Sequence, residues 1–355
     1  MLMIFLDFSK NINLTGKKFA GFDLDFTLIK PKSGKKFSTN SDDWIWLFPS
    51  VREKLIEISE NKEFIITIFT NQLGIEKGKV TIDIIKDKLI KIHKDININF
   101  IVLIADKDDM YRKPRVGMWK FLKEKGLIKE GSFYVGDAAG RIKYENFPKD
   151  HSDSDRKFAD NIKVPFYTPE VFFLYNKDTN YERKWEYNGY NLKYIRKRKN
   201  NIKFNNQENN LVLVMGFPGS GKSYLSKKLS KKYNFEYLSQ DKDKGKLLKK
   251  LTNFFEEKKS IIIEGLFYSE SSRKKYLDLA KKNGYNKYII KLTSDFDLSY
   301  HMNYYRFLKK GDNLIPKVVY YTYKKYYEEP NIKDYDKVFY YYPKLKDKIN
   351  KYYLY

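Results

Sequence analysis

The chain has 355 residues, 42% of them hydrophobic and 17% aromatic, which suffices for two globular domains because domains usually contain about 100 to 200 residues. No run of about 18 uncharged apolar residues occurs, so we expect no membrane-spanning helix. Because the sequence has no cysteine, disulfides, thiolate metal sites and a cysteine nucleophile are excluded. The net charge of +25 attracts polyanions and suits a nucleic-acid substrate, although abundant Lys, Asn, Ile and Tyr are also typical of an AT-biased gene.

Apolar runs alternate with amphipathic stretches up to about residue 175, a pattern that predicts a parallel sheet flanked by helices. The runs predicted to be strands are 18–23, 64–69, 100–105 and 132–135, and the apolar start of the chain predicts a further strand or edge segment. Three polar residues, Asp23, Thr70 and Asp137, lie where three of these strands end. The carboxyl edge of a parallel sheet is where α/β folds bind ligands, so the sequence predicts an active site there.

From residue 176 to about 210 the sequence is rich in Lys, Arg, Asn and Tyr, without a clean period, and it includes the basic run 196–199. This composition predicts a linker, and a basic run of this kind is more often solvated than an import signal. A second α/β pattern begins with the apolar run 211–215. We therefore expect an α/β protein with two parallel sheets, in domains 1–175 and 211–355, joined by a basic linker over 176–210.

Two carboxylates can share one site near the N-terminus, because Asp23 ends an apolar strand and Asp25 lies two residues later in a turn. One carboxylate can attack a phosphoryl group, while a second carboxylic acid protonates the departing oxygen and later activates water. A cation such as Mg²⁺ is needed because carboxylate and phosphate repel each other. Thr70 and Lys113 can offer donors to the phosphoryl oxygens, and Asp137 would complete the metal site.

The second half contains a complete G-x-x-x-x-G-K-[ST] motif between an apolar strand and a helix-like stretch, the context in which this motif is specific. Its glycines, lysine and hydroxyls are Gly216, Gly219, Ser220, Gly221, Lys222 and Ser223. In such a loop the backbone N–H groups hold the donor phosphates, the lysine reaches the outer phosphates and the final hydroxyl binds Mg²⁺. The motif predicts ATP or a similar triphosphate as the donor.

A kinase also needs a base, and Asp241 follows a predicted strand at a position where it could take the proton from an acceptor hydroxyl. Glu264 closes a third strand. Arg306 begins a segment that could act as a lid presenting positive charge to the transition state. Taken alone, both Arg273 and Arg306 are more typical of surface residues.

The order of the acid pair, the strand-end Thr70, Lys113 before a proline and the Gly-Asp at 136–137 resembles the signature of the haloacid dehalogenase superfamily. The segments 70–78, 111–119, 135–141 and 166–173 are similar to the 3′-phosphatase domain of the polynucleotide kinase 3′-phosphatase family. This resemblance implies that Asp23 is the nucleophile and Asp25 the general acid and base. It further implies that Thr70 and Lys113 hold the phosphoryl group.

The same resemblance implies that Asp23, the Asp25 carbonyl and Asp137 bind Mg²⁺, with Asp155 behind these ligands. The family usually has Gly where this chain has Phe26. If that position has a positive φ, Phe would cost about 1 to 3 kcal/mol of strain or move Asp25.

The second half resembles the 5′-kinase domain of the same family through the glycine-rich motif and the segments 303–307 and 323–330. The acceptor triplet of the family commonly reads Asn-Arg-Asp, whereas this chain has Ser239-Gln240-Asp241, and the Asp-Asn-Thr of the family is replaced around Glu264. Asp241 is retained, so the resemblance still implies transfer from ATP to a 5′-hydroxyl.

Together, the resemblance implies a bifunctional enzyme without an N-terminal phosphopeptide-binding module, which hydrolyses 3′-phosphates and phosphorylates 5′-hydroxyls at DNA strand breaks. We expect it inside the cell, in the nucleus or cytoplasm, supplying ends to a ligase-containing repair machinery. Three alternatives stay open: the same chemistry on RNA ends, a 3′-phosphatase with a weak or inactive kinase half, and a non-catalytic nucleic-acid-binding scaffold. RNA is not excluded because recognition of the 2′-hydroxyl leaves no short motif, and the scaffold predicts a lost metal site.

Overall fold

We analysed a computed structural model, which describes residues 3–9, 13–38, 40–145, 147–174, 184–189, 199–205, 207–343, 345 and 351–355. The chain divides into two compact units, one formed by Met1–Asn188 with Lys351–Tyr355 and the other by Gly189–Asn350. The end of the chain thus differs from the expected division, because residues 351–355 belong to the first unit. The reason is packing, since Tyr353 and Leu354 are buried there.

Among its described residues, the first unit contains eight strands. They are β1 (Ile4–Asp7), β2 (Lys18–Phe22), β3 (Ile29–Lys30), β4 (Ile45–Trp46), β5 (Phe64–Asn71), β6 (Phe100–Ala105), β7 (Ile128–Val135) and β8 (Phe166–Tyr167). Six form one sheet in the order β1-β6-β5-β2-β7-β8, in which only the edge strand β1 is antiparallel to its neighbour. β3 and β4 form a separate antiparallel pair. The four predicted strands and the predicted edge strand are therefore confirmed.

Helices cover both faces of this sheet. They are α1 (Pro49–Glu60), α2 (Ile82–Ile96), α3 (Gly117–Glu124), α4 (Ser154–Ile162) and α5 (Pro169–Phe173). Successive strand residues point to opposite faces, so Ile66 and Ile68 pack in one core with α1 and α2, while Ile65 and Phe69 pack in another with α3 and α4. With both faces buried, polar side chains are concentrated at the strand ends.

The second unit is built on a five-stranded parallel sheet. Its strands are β9 (Asn210–Met215), β10 (Glu236–Ser239), β11 (Ile261–Glu264), β12 (Asn286–Leu292) and β13 (Lys337–Tyr341), in the order β10-β11-β9-β12-β13. Its helices are α6 (Lys222–Tyr233), α7 (Gln240–Asp243), α8 (Leu247–Glu256), α9 (Glu270–Lys282), α10 (Phe296–Lys310) and α11 (Lys317–Lys325). The predicted α/β class is confirmed. Within the described ranges, none of the helices is both long and apolar enough to cross a bilayer.

Parts of the expected linker pack on the two units. Trp185 pairs with Arg141 in an isolated bridge of the first unit, and its ring lies 4.2 Å from the Arg156 guanidinium. Phe204 packs in the second unit against an aromatic cluster that includes Phe339. Single aromatic anchors produce no periodic pattern, so this packing was not predicted from the sequence. Residues 196–198 of the basic run lie outside the described residues.

Candidate active sites

A buried cluster of charged side chains lies at the carboxyl edge of the first sheet. Lys113 Nζ donates to Asp23 Oδ1 at 2.6 Å and to Asp155 Oδ1 at 2.7 Å. Asp23 follows β2 and Asp137 follows β7, so the pairing of these two strands brings the carboxylates together. Oxygen atoms of Asp23, Asp137 and Asp155 all lie within 4.8 Å of one another. These oxygens are hard ligands of the kind that Mg²⁺ prefers.

Asp155 reaches the cluster because residue 136 is a glycine. A Cβ at Gly136 would lie 2.5 Å from Asp155 Cγ, a distance that real Cβ atoms essentially never show. Asp155 Oδ2 accepts from the Ala138 N–H at 3.0 Å, and Oδ1 accepts from Lys113 and from the Tyr134 hydroxyl. Since both of its oxygens accept protein donors, Asp155 supports Lys113 from behind Asp23.

Burial and mutual repulsion raise the pKa of the carboxylates in this cluster. Burial, opposed by Lys113 and assisted by Asp155, raises the pKa of Asp23 to about 7. Burial together with Asp23 and Asp155 raises the pKa of Asp137 well above its usual range. Burial disfavours the charge on Lys113, but Asp155 and Asp23 outweigh it and raise the pKa of this ammonium. Three carboxylates face one ammonium, so a divalent cation bound by the carboxylate oxygens would offset the excess negative charge.

Asp25 and Thr70 share a partner that the sequence reasoning missed. Gln72 Nε2 donates to Asp25 Oδ2 at 2.8 Å and to Thr70 Oγ1 at 2.9 Å. Gln72 is itself buried and is held by a bond from its N–H to the Ala105 carbonyl at 2.8 Å. The Gln72 amide therefore holds the side chains of Asp25 and Thr70 in place. The one signal in the sequence was an amide residue two positions after a strand-end threonine.

The turn between Asp25 and Thr27 has a left-handed backbone, with φ of 58° at Phe26. Phe26 therefore has the positive φ that is unfavourable for a residue with a side chain, and we expect it to cost roughly 1 to 3 kcal/mol of backbone strain. The turn still places the Thr27 hydroxyl 3.0 Å from the Asp137 N–H, which donates to it. Phe26 thus leaves the connection between the turn and Asp137 in place.

The cluster lies in a cavity of about 430 Å³. Besides Lys113, five cationic side chains line this cavity, and they are Lys36, Lys77, Lys79, Lys88 and Arg112. Phe37, 68% exposed, lies in the same wall. A positive wall with an exposed aromatic ring around an acidic centre suits a nucleic-acid end that carries a phosphate. Lys36, Lys77 and Lys79, which lie in loops after strands, were the available signal for part of this wall, but the overall basic composition obscured them.

The second site is built from the backbone of the loop that follows β9. Gly219 and Gly221 have φ of 74° and 96°, and a Cβ at Gly219 would lie 2.6 Å from the Ser299 carbonyl oxygen. A residue with a side chain could not take the place of Gly219 without moving this contact. The loop leads directly into α6, whose first N–H groups are a ready site for anions.

Lys222 lies inside this loop, where its Nζ donates to the Gly216 and Phe217 carbonyls at 2.9 and 2.7 Å. Burial lowers the pKa of Lys222 to about 8, against the attraction of Glu264 and Asp241 and with the repulsion of Arg306. The structure therefore brings both predicted residues, Asp241 and Arg306, into the surroundings of Lys222.

Two buried polar atoms of this site, Ser220 Oγ and Glu264 Oε2, have no hydrogen-bond partner within the part of the chain that the structure describes. Buried polar atoms of this kind are normally satisfied by a ligand, an ion or ordered water. Ser223 is exposed in the first turn of α6. These donors and acceptors fit a nucleotide with its metal.

The expected surface position of Arg273 is wrong, because its side chain is 2% exposed and donates to the Phe267 and Glu328 carbonyls at 2.8 and 3.0 Å. Arg273 therefore connects the backbone at Phe267 with the backbone at Glu328. Gln240 turns inward, with its Nε2 3.3 Å from the Tyr276 hydroxyl. A Cβ at residue 265 would lie 2.0 Å from Gln240 Oε1, so Gly265 makes room for this conformation.

The two units thus define a protein with one carboxylate-based site and one P-loop site for phosphate. A family model described as polynucleotide kinase 3 phosphatase matches residues 18–173. A bifunctional polynucleotide phosphatase/kinase of Schizosaccharomyces pombe is 33% identical over 328 residues, which is 90% of this chain and 78% of that protein. A polynucleotide 3′-phosphatase of Saccharomyces cerevisiae is 27% identical over 209 residues, 43% of this chain and 85% of that protein. The chain belongs to the bifunctional polynucleotide phosphatase/kinase family, as its motifs predicted.

Proposed function

We propose that this chain hydrolyses 3′-phosphates and phosphorylates 5′-hydroxyls at polynucleotide ends, and that DNA breaks are its substrates. The observation that carries the proposal is the buried contact of Lys113 with Asp23 and Asp155, beside Asp137, inside a cavity with a cationic wall. The P-loop in the same chain supports the second activity. The name of the Schizosaccharomyces pombe relative, a bifunctional polynucleotide phosphatase/kinase, agrees with both activities, and that of the Saccharomyces cerevisiae relative, a polynucleotide 3′-phosphatase, agrees with the first.

In the phosphatase reaction the Asp23 carboxylate attacks phosphorus, and the bond from phosphorus to the 3′-oxygen breaks as Asp25 protonates that oxygen. Asp25 then takes a proton from water, which attacks the aspartyl phosphate, releases phosphate and restores Asp23. Thr70 and Lys113 hold the phosphoryl oxygens in both steps. Mg²⁺ bound by Asp23, Asp137 and the Asp25 carbonyl would offset the repulsion between the carboxylate and the phosphate.

In the kinase reaction ATP is the phosphoryl donor. The backbone N–H groups between Gly216 and Gly221 would hold the donor phosphates, Lys222 would bind the outer phosphates and Ser223 would hold the accompanying Mg²⁺. Asp241 accepts the proton of the 5′-hydroxyl as the hydroxyl oxygen attacks the γ-phosphorus, and the bond from this phosphorus to the bridging oxygen breaks with release of ADP. Arg306 stabilises the charge that builds up on the transferred group.

One alternative has an observation in its favour. Gln240 replaces the arginine that is common in the family and packs against Gly265 and Tyr276, which would weaken the grip on the acceptor strand. A 3′-phosphatase with a weak kinase half is therefore the second candidate. A non-catalytic scaffold is disfavoured because the acidic cluster and Lys222 are intact.

The test uses purified protein with Mg²⁺ and ATP on matched DNA and RNA oligonucleotides that carry a 3′-phosphate or a 5′-hydroxyl. We expect both activities, with DNA preferred. A 3′ activity without a 5′ activity would support the second candidate, and RNA preferred on both ends would reject the assignment to DNA. Absence of both activities would reject the proposed function.

A further inference from the structure

The last five residues of the sequence, Lys351–Tyr355, are called the C-terminal segment below, and they pack on the first unit although the second unit precedes them in the chain. Tyr353 and Leu354 are 6% and 9% exposed. The Tyr353 ring packs against Tyr187, with 4.7 Å between the ring centroids. The C-terminal segment is thus packed into the first unit.

Three buried polar side chains bind the backbone of the C-terminal segment. Asn161 donates to the Tyr353 carbonyl at 2.9 Å and accepts from the Tyr353 N–H at 2.8 Å. Arg115 Nε donates to the Leu354 carbonyl at 2.8 Å, and Lys157 Nζ donates to the Tyr355 carbonyl oxygen at 2.7 Å. Because all three side chains are buried, loss of the segment would leave polar atoms with fewer partners, which drives rearrangement.

Two of these side chains also hold the loop that carries Lys113. Asn161 Nδ2 donates to the Pro114 carbonyl at 2.7 Å. Arg115 lies two residues after Lys113, and its Nη1 donates to the Asp109 carbonyl at 2.6 Å and pairs with Asp108 at 2.7 Å. The loop is therefore held directly by Asn161 and Arg115, and each of these side chains also binds the backbone of the C-terminal segment.

We propose that the C-terminal segment is a positioning element of the phosphatase site, which orients Asn161 and Arg115 so that Lys113 Nζ lies between Asp23 and Asp155. This inference rests on the proposed 3′-phosphatase activity. It makes the catalytic lysine of the first half of the chain dependent on residues that follow the second half. A fragment that ends near residue 175 would lack this support.

The test compares the full chain with a deletion of residues 351–355 and with Tyr353→Pro. The proline removes the backbone N–H that donates a hydrogen bond to Asn161 Oδ1. Lys351→Ala, at an exposed position of the same segment, is the matched control. Kinetics are measured well below each melting temperature on a 3′-phosphate oligonucleotide, and 5′-kinase turnover serves as an internal measure of folding. We expect kcat for the phosphatase to fall roughly tenfold to hundredfold, because misplacement by about 1 Å has costs of this size. KM, kinase turnover and the control should change little.

A double variant tests whether the segment acts through Lys113. In a Lys113→Ala background, followed by single-turnover kinetics, the deletion should have little further effect, because coupled changes are not additive. An equal fold loss in both backgrounds would overturn the proposal. So would variants that lower only the melting temperature and keep full kcat, because the segment would then only stabilise the unit.

If the deletion also removes kinase activity, the chain has lost its fold. Tyr353→Pro then decides whether the segment positions Lys113 or only stabilises the unit. Absence of 3′ activity in the full chain is a different result. It would reject the proposed function on which the inference rests.

Discussion

The two candidate sites handle phosphate with opposite kinds of buried charge. In the first site carboxylates crowd around one ammonium, and burial raises the pKa of Asp23 to about 7. In the second site one ammonium lies among backbone carbonyls, and burial lowers the pKa of Lys222 to about 8. Each shift disfavours the charged form, and each would be reversed by the opposite charge. The sign of the buried charge therefore indicates the ligand, a cation in the first site and an anion in the second.

The sites also differ in how closely they follow the family pattern. The first retains all of its expected acidic and basic residues and departs at Phe26, a backbone position. The second departs in side chains, at Gln240 and around Glu264. We therefore expect single substitutions to separate the two activities.

The largest expected effect is that of Asp23→Asn on 3′-phosphate hydrolysis. An amide cannot act as the nucleophile, so kcat should fall by roughly 10³-fold or more. Kinase turnover of the same preparation should stay within about twofold of the unmodified chain because the two sites act through separate groups. Both are measured on end-labelled oligonucleotides. Hydrolysis that survives this substitution would rule out Asp23 as the nucleophile.

Lys222→Ala is the reciprocal change. Removing the one ammonium from the P-loop should lower 5′-kinase turnover by roughly 10²-fold to 10³-fold, while 3′-phosphate hydrolysis continues at its normal rate. The same labelled substrates report both reactions. Equal loss of both activities would show that the sites are not independent and would break the comparison.

The raised pKa of Asp23 predicts how stability depends on pH without metal. A folded-state pKa of about 7 against about 4 in the unfolded chain gives a stabilising contribution that is complete below about pH 4 and is lost as pH rises through about 7. Asp23→Asn removes this loss. With EDTA present, the free energy of unfolding of the variant minus that of the unmodified chain should therefore be larger at pH 8 than at pH 5 by roughly 2 to 4 kcal/mol. Urea unfolding at both pH values measures it.

Added Mg²⁺ provides the control for that measurement. It should stabilise the unmodified chain at pH 8 more than the Asn variant, because the variant lacks one anionic ligand. A stability difference that is the same at pH 5 and pH 8 would contradict the raised pKa.

The lowered pKa of Lys222 predicts how nucleotide binding depends on pH. Its pKa of about 8 means that the free site loses its positive charge as pH rises, so nucleotide affinity should fall by about tenfold per pH unit above that value. Calorimetric titration with ATP between pH 7 and pH 9.5 measures the effect. Lys222→Arg is the matched control, since arginine keeps its charge over this range. A nucleotide affinity of the unmodified chain that does not change over this pH range would contradict the lowered pKa of Lys222.

The first site was largely predictable because its side chains lie directly after strands, and a parallel sheet collects strand ends at one edge. Asp23, Thr70 and Asp137 follow from that rule. The contact of Tyr353 with Asn161 joins residues 192 positions apart, and no local pattern encodes it. Arg273 was misjudged for a related reason, because its partners are carbonyl groups, which every residue carries. Sequence patterns thus revealed the residues at strand ends but not the side chains that hold them.

The smallest expected effect concerns the strain at Phe26, and it tests whether the first site differs from the family only in its backbone. Phe26→Gly and Phe26→Ala both remove the ring, but only Ala keeps a Cβ at a φ of 58°. A left-handed conformation costs an L-residue about 1 to 2 kcal/mol, and the greater chain entropy of unfolded Gly cancels part of this. We expect Phe26→Gly to be more stable than Phe26→Ala by up to about 1 kcal/mol in urea unfolding, with phosphatase kcat of the Gly variant close to that of the unmodified chain. If Phe26→Ala is equally stable, the turn carries no strain from its side chain and the departure from the family pattern has no energetic cost.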